Sequence, residues 1–406
     1  MKKTLPWLWL IFLCAFFLRV YNLDAVSLRG DEAFTVNFVQ RTWDALWKGI
    51  RFIEPNPPGL YLALRAWVAL AGASELVARF FSVWFGVLNS ALIYRLAREM
   101  IPNPKIKNLA ALIAALLIAF SPYQIWHSQD VRNYTLWPAV SMLALIFFWR
   151  VWRFEVGSWK LEVGNALYAS RFTFYALYFL SAYLALMTFY YETFIVVAQN
   201  VFFAISFVRA GGWRDLKRAG RALARWSAAQ IVLIAAYGAW ILQTDRVTAY
   251  GELSAEQSVG LLDMLTRTVA SFVLGDTVPD AYQHALAPIV TIALIACLIV
   301  WARQDHARAI FIALYVAVPL VGVYLTSLGR PLFSERYITG ILPAYFLLIA
   351  FGLTTLWKWQ IRWRAMAVAL AAIFLIASAA YALANYYFNP AYAKAPDWRG
   401  VWQVIA

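Results

Sequence analysis

Charge is scarce in this chain: 14% of its 406 residues are charged, against 63% hydrophobic. Soluble domains run at about 45–50% apolar even with glycine counted. One water-soluble core of this length cannot hide so much apolar surface, so a soluble enzyme does not fit. The same figures exclude a disordered chain. Only two cysteines occur, Cys14 and Cys297, both inside long apolar runs. They give no disulfide framework and no metal-ligand spacing. No repeat of solenoid length and no low-complexity tract interrupts the chain. Acidic residues are few as well, 21 against 35 basic ones, which leaves a net charge of +14. Such an excess could speak for nucleic acid, but its distribution speaks for a membrane.

A span needs about 20 largely apolar residues. Eleven stretches are candidates: 5–21, 77–96, 109–123, 134–151, 172–189, 194–208, 226–242, 286–301, 309–327, 338–357 and 365–384. Several carry no charge at all, which lipid explains readily. The first is too long for a signal-peptide core and ends without a small-residue cleavage site, so it reads as retained. With the N-terminus inside and the spans alternating, the inside segments hold most basic residues. Among the acids they hold only Glu99, Glu155, Glu162, Asp215 and Asp305. That is the positive-inside bias. It predicts a multi-pass protein of a plasma (inner) membrane, N-terminus cytoplasmic, with its compact polar clusters on the outer face. The basic stretch 209–225 reads as a cytoplasmic linker against anionic lipid. No nucleic-acid partner is expected.

Three outside segments are long: 22–76, 243–285 and the tail from Asn385; a shorter one covers 328–337. The first is expected to carry juxtamembrane helices near 31–50 and 60–70. The second helix, led by Pro57-Pro58, is apolar but too short to span. It should lie in the interface with Trp43, Trp47 and Trp67 as belt residues. The fold class is thus an all-α polytopic membrane protein with about 11 transmembrane helices. Residues 1–384 form its transmembrane domain, and 385–406 read as the start of an outside C-terminal region, cut short.

Because acids are rare, their positions inform. Asp31-Glu32 precedes an apolar helix shortly after the first span. A carboxylate there could act as a general base at the membrane surface or cap the helix, and the helix dipole favours it in either role. His127-Ser128-Gln129-Asp130-Val131-Arg132-Asn133-Tyr134 fills a short outside turn. It could bind a phosphate or a metal, or be a solvated loop with an ion pair; its spacing is a poor match to metal sites. Glu192, beside Tyr190 and Tyr191, ends the fifth span. A carboxylate at membrane depth is functional by default, whereas in an interfacial hairpin most of its cost vanishes. Arg330 and Ser334-Glu335-Arg336-Tyr337 stand before the tenth span. Two arginines there suit an oxyanion or a lipid headgroup. A transporter or lipid flippase, the competing class, would place charge in mid-span and break helices in matching halves. Mid-span charge is nearly missing here, and no half-to-half symmetry is visible.

Several motifs, in order, resemble a family. Leu28-Arg29-Gly30-Asp31-Glu32-Ala33 resembles a first-loop Asp-Glu-Ala motif. Asn56-Pro57-Pro58-Gly59-Leu60-Tyr61 resembles His-Pro-Pro-Leu-Tyr and is followed by Arg79-Phe80-Phe81-Ser82. Ser121-Pro122 with the segment from Ser128 to Tyr134 resembles Ser-Gln-Glu-Ala-Arg-Pro-Tyr. Glu335-Arg336-Tyr337 with Leu342-Pro343-Ala344 resembles a late Arg-Tyr and Pro-Ala motif, and Asp397-Trp398-Arg399-Gly400 the start of an outside C-terminal portion. The family is the bacterial membrane glycosyltransferases of the C-type fold, the dolichyl-phosphate-mannose protein mannosyltransferase and aminoarabinose-transferase-like group.

The resemblance implies a polyprenyl-phosphate sugar donor and an acceptor glycan, lipid or protein on the outer side, joined with inversion. It implies Asp31, with Glu32 beside it, as the catalytic carboxylates. Arg132, Arg330, Arg336 and His127 would meet the donor phosphate. Asp130, Asn56, Tyr61, Tyr134, Glu192, Glu335 and Tyr337 would face the substrates. It names no definite cofactor; a divalent metal could bridge Asp31 and Asp130. Asn56 stands where the family has His, and Asn133 where it has Pro. Asn56 cannot titrate, which speaks against proton shuttling or metal binding at that position.

Overall fold

The computed structural model describes residues 5–157, 166–209, 216–244, 259–328, 333–359, 362–396 and 398–399. Among them the chain is helical, without strands. In order come α1 (Leu5–Val20), α2 (Gly30–Val39), α3 (Trp43–Phe52), α4 (Gly59–Ala71), α5 (Glu75–Met100), α6 (Pro104–Phe120), α7 (Pro122–Ser128) and α8 (Leu136–Trp152). Then follow α9 (Ala166–Leu186), α10 (Glu192–Arg209), α11 (Leu216–Ile241), α12 (Leu261–Val269), α13 (Asp280–Gln304), α14 (His306–Ser327), α15 (Leu342–Lys358) and α16 (Arg364–Phe388).

Each of the eleven apolar stretches is helical, although 109–123 crosses the break between α6 and α7 and 338–357 begins on a 3-10 turn. Among the described residues seven helices are long and apolar enough to cross a membrane, and an eighth if α6 and α7 count as one bent span. The bend is 54° and falls at Ser121-Pro122. Proline has no N–H to continue the α6 ladder, and Ser121 Oγ starts α7 by accepting from the Gln124 N–H at 3.2 Å. The expected single helix over 31–50 is two, α2 and α3, with Thr42 at the N-cap of the second. The tail boundary at Asn385 also shifts, because α16 continues to Phe388.

Burial sorts the helices. In the stretch Glu335–Lys358, which ends in α15, 83% of the apolar window is buried, against 6% in α16. Met366, Leu370, Ile373 and Ile376 on α16 and Ile289, Ile292 and Ile295 on α13 stay exposed. An apolar face of that extent suits lipid rather than water. Of the proposed belt residues, only Trp43 is strongly exposed. Trp47 packs on Trp240, and Trp67 donates to the Val77 carbonyl at 2.8 Å.

Helix alternation gathers the polar connections at one end, and hydrogen bonds tie them together there. Gly59 N–H donates to Met187 O at 2.6 Å, Asn133 Nδ2 to Thr188 O at 3.0 Å and Gln129 Nε2 to Tyr21 O at 2.8 Å. The elbow between α6 and α7 is locked by Arg19, which is fully buried. Its guanidinium donates to Ile118 O and Ala119 O, each at 2.9 Å, and to Ser128 Oγ at 3.0 Å. These carbonyls are the free ones at the α6 C-terminus. Gly86 on α5 leaves the room: a Cβ there would lie 2.2 Å from Ser128 Oγ and 2.8 Å from Arg19 Nε.

Gly86→Ala should therefore destabilise the protein by about 1–3 kcal/mol through overpacking. Gly220→Ala, where an added Cβ meets nothing within 4 Å, should be neutral or stabilising by up to about 1 kcal/mol. Thermal unfolding in detergent compares the two; equal midpoints would refute the close-approach argument.

Candidate active site

The site is built on the start of α2. Arg29 is the N-cap, and its N–H donates to Glu32 Oε2 at 3.0 Å. Asp31 and Glu32 are neighbours in sequence, but the helix turns them about 100° apart. Asp31 is exposed, whereas Glu32 is fully buried. Arg79 on α5 grips Glu32 with Nε at 3.0 Å and a second nitrogen at 2.9 Å. The Val131 N–H adds a bond to Glu32 Oε1 at 3.1 Å. With four donors on its two oxygens, Glu32 cannot reach an acceptor hydroxyl. The paired expectation is thus corrected at Glu32, whose two oxygens are taken; the Asp31 carboxylate has no hydrogen-bond partner among the described residues.

Thr35, one turn after Asp31, carries the next link. Its hydroxyl donates to Asp31 O at 2.7 Å and accepts from Arg132 at 3.1 Å. Burial works against the charge on Arg132, but Tyr134, Tyr61, Glu54 and Asp31 more than compensate and raise its pKa. Arg336, on the 3-10 turn Glu335–Ile341, lies over the rings of Tyr337 (5.3 Å) and Tyr134 (5.9 Å). Asp31 is within electrostatic range of both guanidiniums. Arg132 and Arg336 each keep a buried Nε–H with no partner among the described residues. A buried unsatisfied donor is expensive, and two such guanidiniums close together suit an anion.

A second polar layer lies beneath and is closed. Asp130, fully buried, accepts from Lys394 at 2.8 Å and from Arg29 at 3.0 Å, while His127 Nδ1 lies 3.2 Å from its other oxygen. Burial alone would raise its pKa; Lys394, the His127 hydrogen bond and Arg29 reverse this and hold it well below the usual carboxylate range. The expected metal bridge between Asp31 and Asp130 does not fit this donor set, because both Asp130 oxygens are already engaged. Among the described residues no group of three or more His, Cys, Asp or Glu could hold a metal ion. His127 is enclosed between Tyr123 (4.5 Å) and Tyr134 (4.8 Å). It serves this layer rather than the open one.

The remaining expectations divide. Tyr61, Tyr134 and Tyr337 lie around the two arginines. Asn56 donates to Glu54 Oε1 at 2.6 Å, so the residue in place of His orients an acid instead. Asn133, in place of Pro, pins the turn to Thr188 O. Glu192 is buried between helices, accepting from Trp137 at 2.7 Å and Ser141 at 3.1 Å, so the expected substrate contact is corrected to a packing role. Glu335 pairs with Arg267 at 2.5 Å and faces a different cavity of about 420 Å³. Arg330 lies outside the described residues. Glu54, Arg29, Thr35 and Lys394 were missed by the sequence reading. The rarity of acids was a usable signal for Glu54; nothing local marked Lys394.

Two predictions separate the layers. Glu32→Ala strands Arg79 and should cost about 3–5 kcal/mol, whereas Asp31→Asn at an exposed position should stay within about 0.5 kcal/mol in thermal unfolding. Asp130 should contribute its stability at every pH above the ordinary 3.8 and lose it only as pH falls toward its lowered value. On the acid side the unfolding difference between wild type and Asp130→Asn should therefore hold at about pH 5 and shrink only in stronger acid. Toward alkaline pH it changes for a separate reason, because burial lowers the Lys394 pKa to about 8. A difference already lost at about pH 5 would contradict this assignment.

No protein-family model and no curated protein sequence matches this chain. Solved structures do. ArnT from Cupriavidus metallidurans in the apo state is 15% identical, with 97% of this chain and 66% of that one covered and a TM-score of 0.61. ArnT bound to undecaprenyl phosphate gives a TM-score of 0.60 at 15% identity, covering 94% and 65%. The Archaeoglobus fulgidus oligosaccharyltransferase gives 0.59 at 13% identity, covering 97% and 57%. This chain spans about two thirds of ArnT and little more than half of the oligosaccharyltransferase. At such identities the likeness concerns the fold: a multi-pass membrane protein with the C-type glycosyltransferase fold.

Proposed function

We propose that this protein is an inverting glycosyltransferase that moves a sugar from a polyprenyl-phosphate donor to an acceptor hydroxyl at the outer face of a plasma membrane. The observation that carries the proposal is the exposed Asp31 within electrostatic range of two guanidiniums, each with a buried Nε–H that has no partner among the described residues. The fold shared with ArnT, one structure of which is bound to undecaprenyl phosphate, supports the class of donor. The positive-inside bias supports a cytoplasmic N-terminus and an outward site.

The chemistry follows from the charges. The acceptor oxygen attacks the anomeric carbon as the bond to the phosphate oxygen breaks. Positive charge gathers on the sugar, and the phosphate leaves with the electron pair. Asp31 takes the hydroxyl proton. Arg132 and Arg336 stabilise the leaving phosphate, and fixed charges of this kind are usually the largest catalytic term. Thr35 and the rings of Tyr134 and Tyr337 hold these guanidiniums in place before the donor arrives. One base and one direct displacement give inversion.

The test uses purified protein in lipid with a panel of radiolabelled polyprenyl-phosphate sugars. One donor should lose its label to an acceptor or to water. Asp31→Asn should slow that transfer by about 10²–10⁴-fold. Arg132→Met should slow it by about 10²–10³-fold. If no donor is bound or turned over, or Asp31→Asn transfers at the wild-type rate, the proposal fails.

A further inference from the structure

The chain after α16 does not lead away from the site. A 3-10 turn at Pro390–Tyr392 reverses it, and Lys394 enters the closed layer. The ammonium donates to Asp130 Oδ1 at 2.8 Å and to the Trp126 carbonyl. It also lies over the rings of Trp126 (4.8 Å) and Tyr386 (5.7 Å). The side chain is 2% exposed. Tyr386 is itself bonded to Gln129, next to Asp130. Five residues later, Arg399 fastens the tail again. Its backbone N–H donates to Ser27 Oγ at 3.1 Å, and its guanidinium to Asp24 Oδ1 at 2.7 Å and to Glu75.

Both attachments reach the segments that set the site. Residues 24–27 lead into α2 and Asp31, and Asp130 stands two residues before Arg132. One oxygen of Asp130 is shared by Lys394 and Arg29. Taking the ammonium away leaves Arg29 as its one full cation, and the turn from Asp130 to Tyr134 loses an anchor on the side of the tail. A buried lysine so enclosed is also difficult to place by chance: it needs the carboxylate, the carbonyl and the two ring faces together.

We propose that Lys394 is a positioning residue of the candidate site: through Asp130 it fixes the turn that presents Arg132 to the donor phosphate. This rests on the donor assignment above. Lys394 touches no reacting atom; it acts through Asp130 alone. The tail is therefore part of the site, and an otherwise intact set of transmembrane helices without it should bind the donor phosphate poorly.

The test is a binding titration of the full chain in detergent with undecaprenyl phosphate. Lys394→Met should raise the dissociation constant on the order of tenfold, with the unfolded fraction checked by circular dichroism. In an Asp130→Asn background the same substitution should change binding no further, because the route through Asp130 is already cut. Lys394→Gln, which keeps a donor, covers the case in which the methionine variant does not fold. Unchanged binding in the folded variant, or an effect that adds in full to Asp130→Asn, overturns the proposal. A wild type that binds no undecaprenyl phosphate overturns the donor assignment first and this inference with it. The wild-type titration by itself separates the two failures.

Discussion

A buried ion pair organises this molecule's polar end. Arg79 and Glu32 are 1% and 0% exposed. Two charges in such surroundings are tolerable only when their hydrogen bonds are filled. They are: beyond Glu32, the guanidinium donates to Leu23 O, Val26 O and Ser27 O at 3.1, 2.7 and 3.0 Å. One arginine thereby folds the connection between α1 and α2, caps α2 through Glu32, and takes in Val131 from the distant turn. That pair ties the segment that carries Asp31 to the turn that carries Arg132.

The polar residues then divide into a layer that is neutralised and one that is not. Around Asp130 the cations and the carboxylate meet within hydrogen-bond distance. Around Arg132 and Arg336 the donors outnumber the acceptors, and Asp31 stands exposed beside them. In a partly desolvated site such an imbalance is worth more than in water. The two layers share the turn from Asp130 to Tyr134.

The apolar part serves this arrangement. The proline elbow between α6 and α7 brings His127 and Ser128 to the polar end, and Arg19 holds the bend by capping α6. The small side of Gly86 admits the guanidinium. Gly59 allows the loop before α4 to press on Met187, so that Glu54, Asn56 and Tyr61 arrive next to Arg132. Helices such as α13 and α16 contribute length and an exposed apolar surface.

Hydropathy by itself determined the helices. All eleven apolar stretches are helical because every backbone group must be satisfied within the span, and a run of apolar side chains leaves no other solution. The motifs fall on the start of α2, the loop before α4, the turn after α7 and the turn before α15. What a sequence cannot express is which neighbour ends up inside. Asp31 and Glu32 read as one motif, and a single helical step exposes the first and buries the second against an arginine 47 residues away. Glu192 read as a functional acid, yet its partners are Trp137 and Ser141 from another helix. Lys394 lies 264 residues from Asp130, and nothing in its own surroundings announces a partner. Periodicity and hydropathy are local properties and survive in the linear chain; the pairing of buried charges is long-range, and only the tertiary structure decided it.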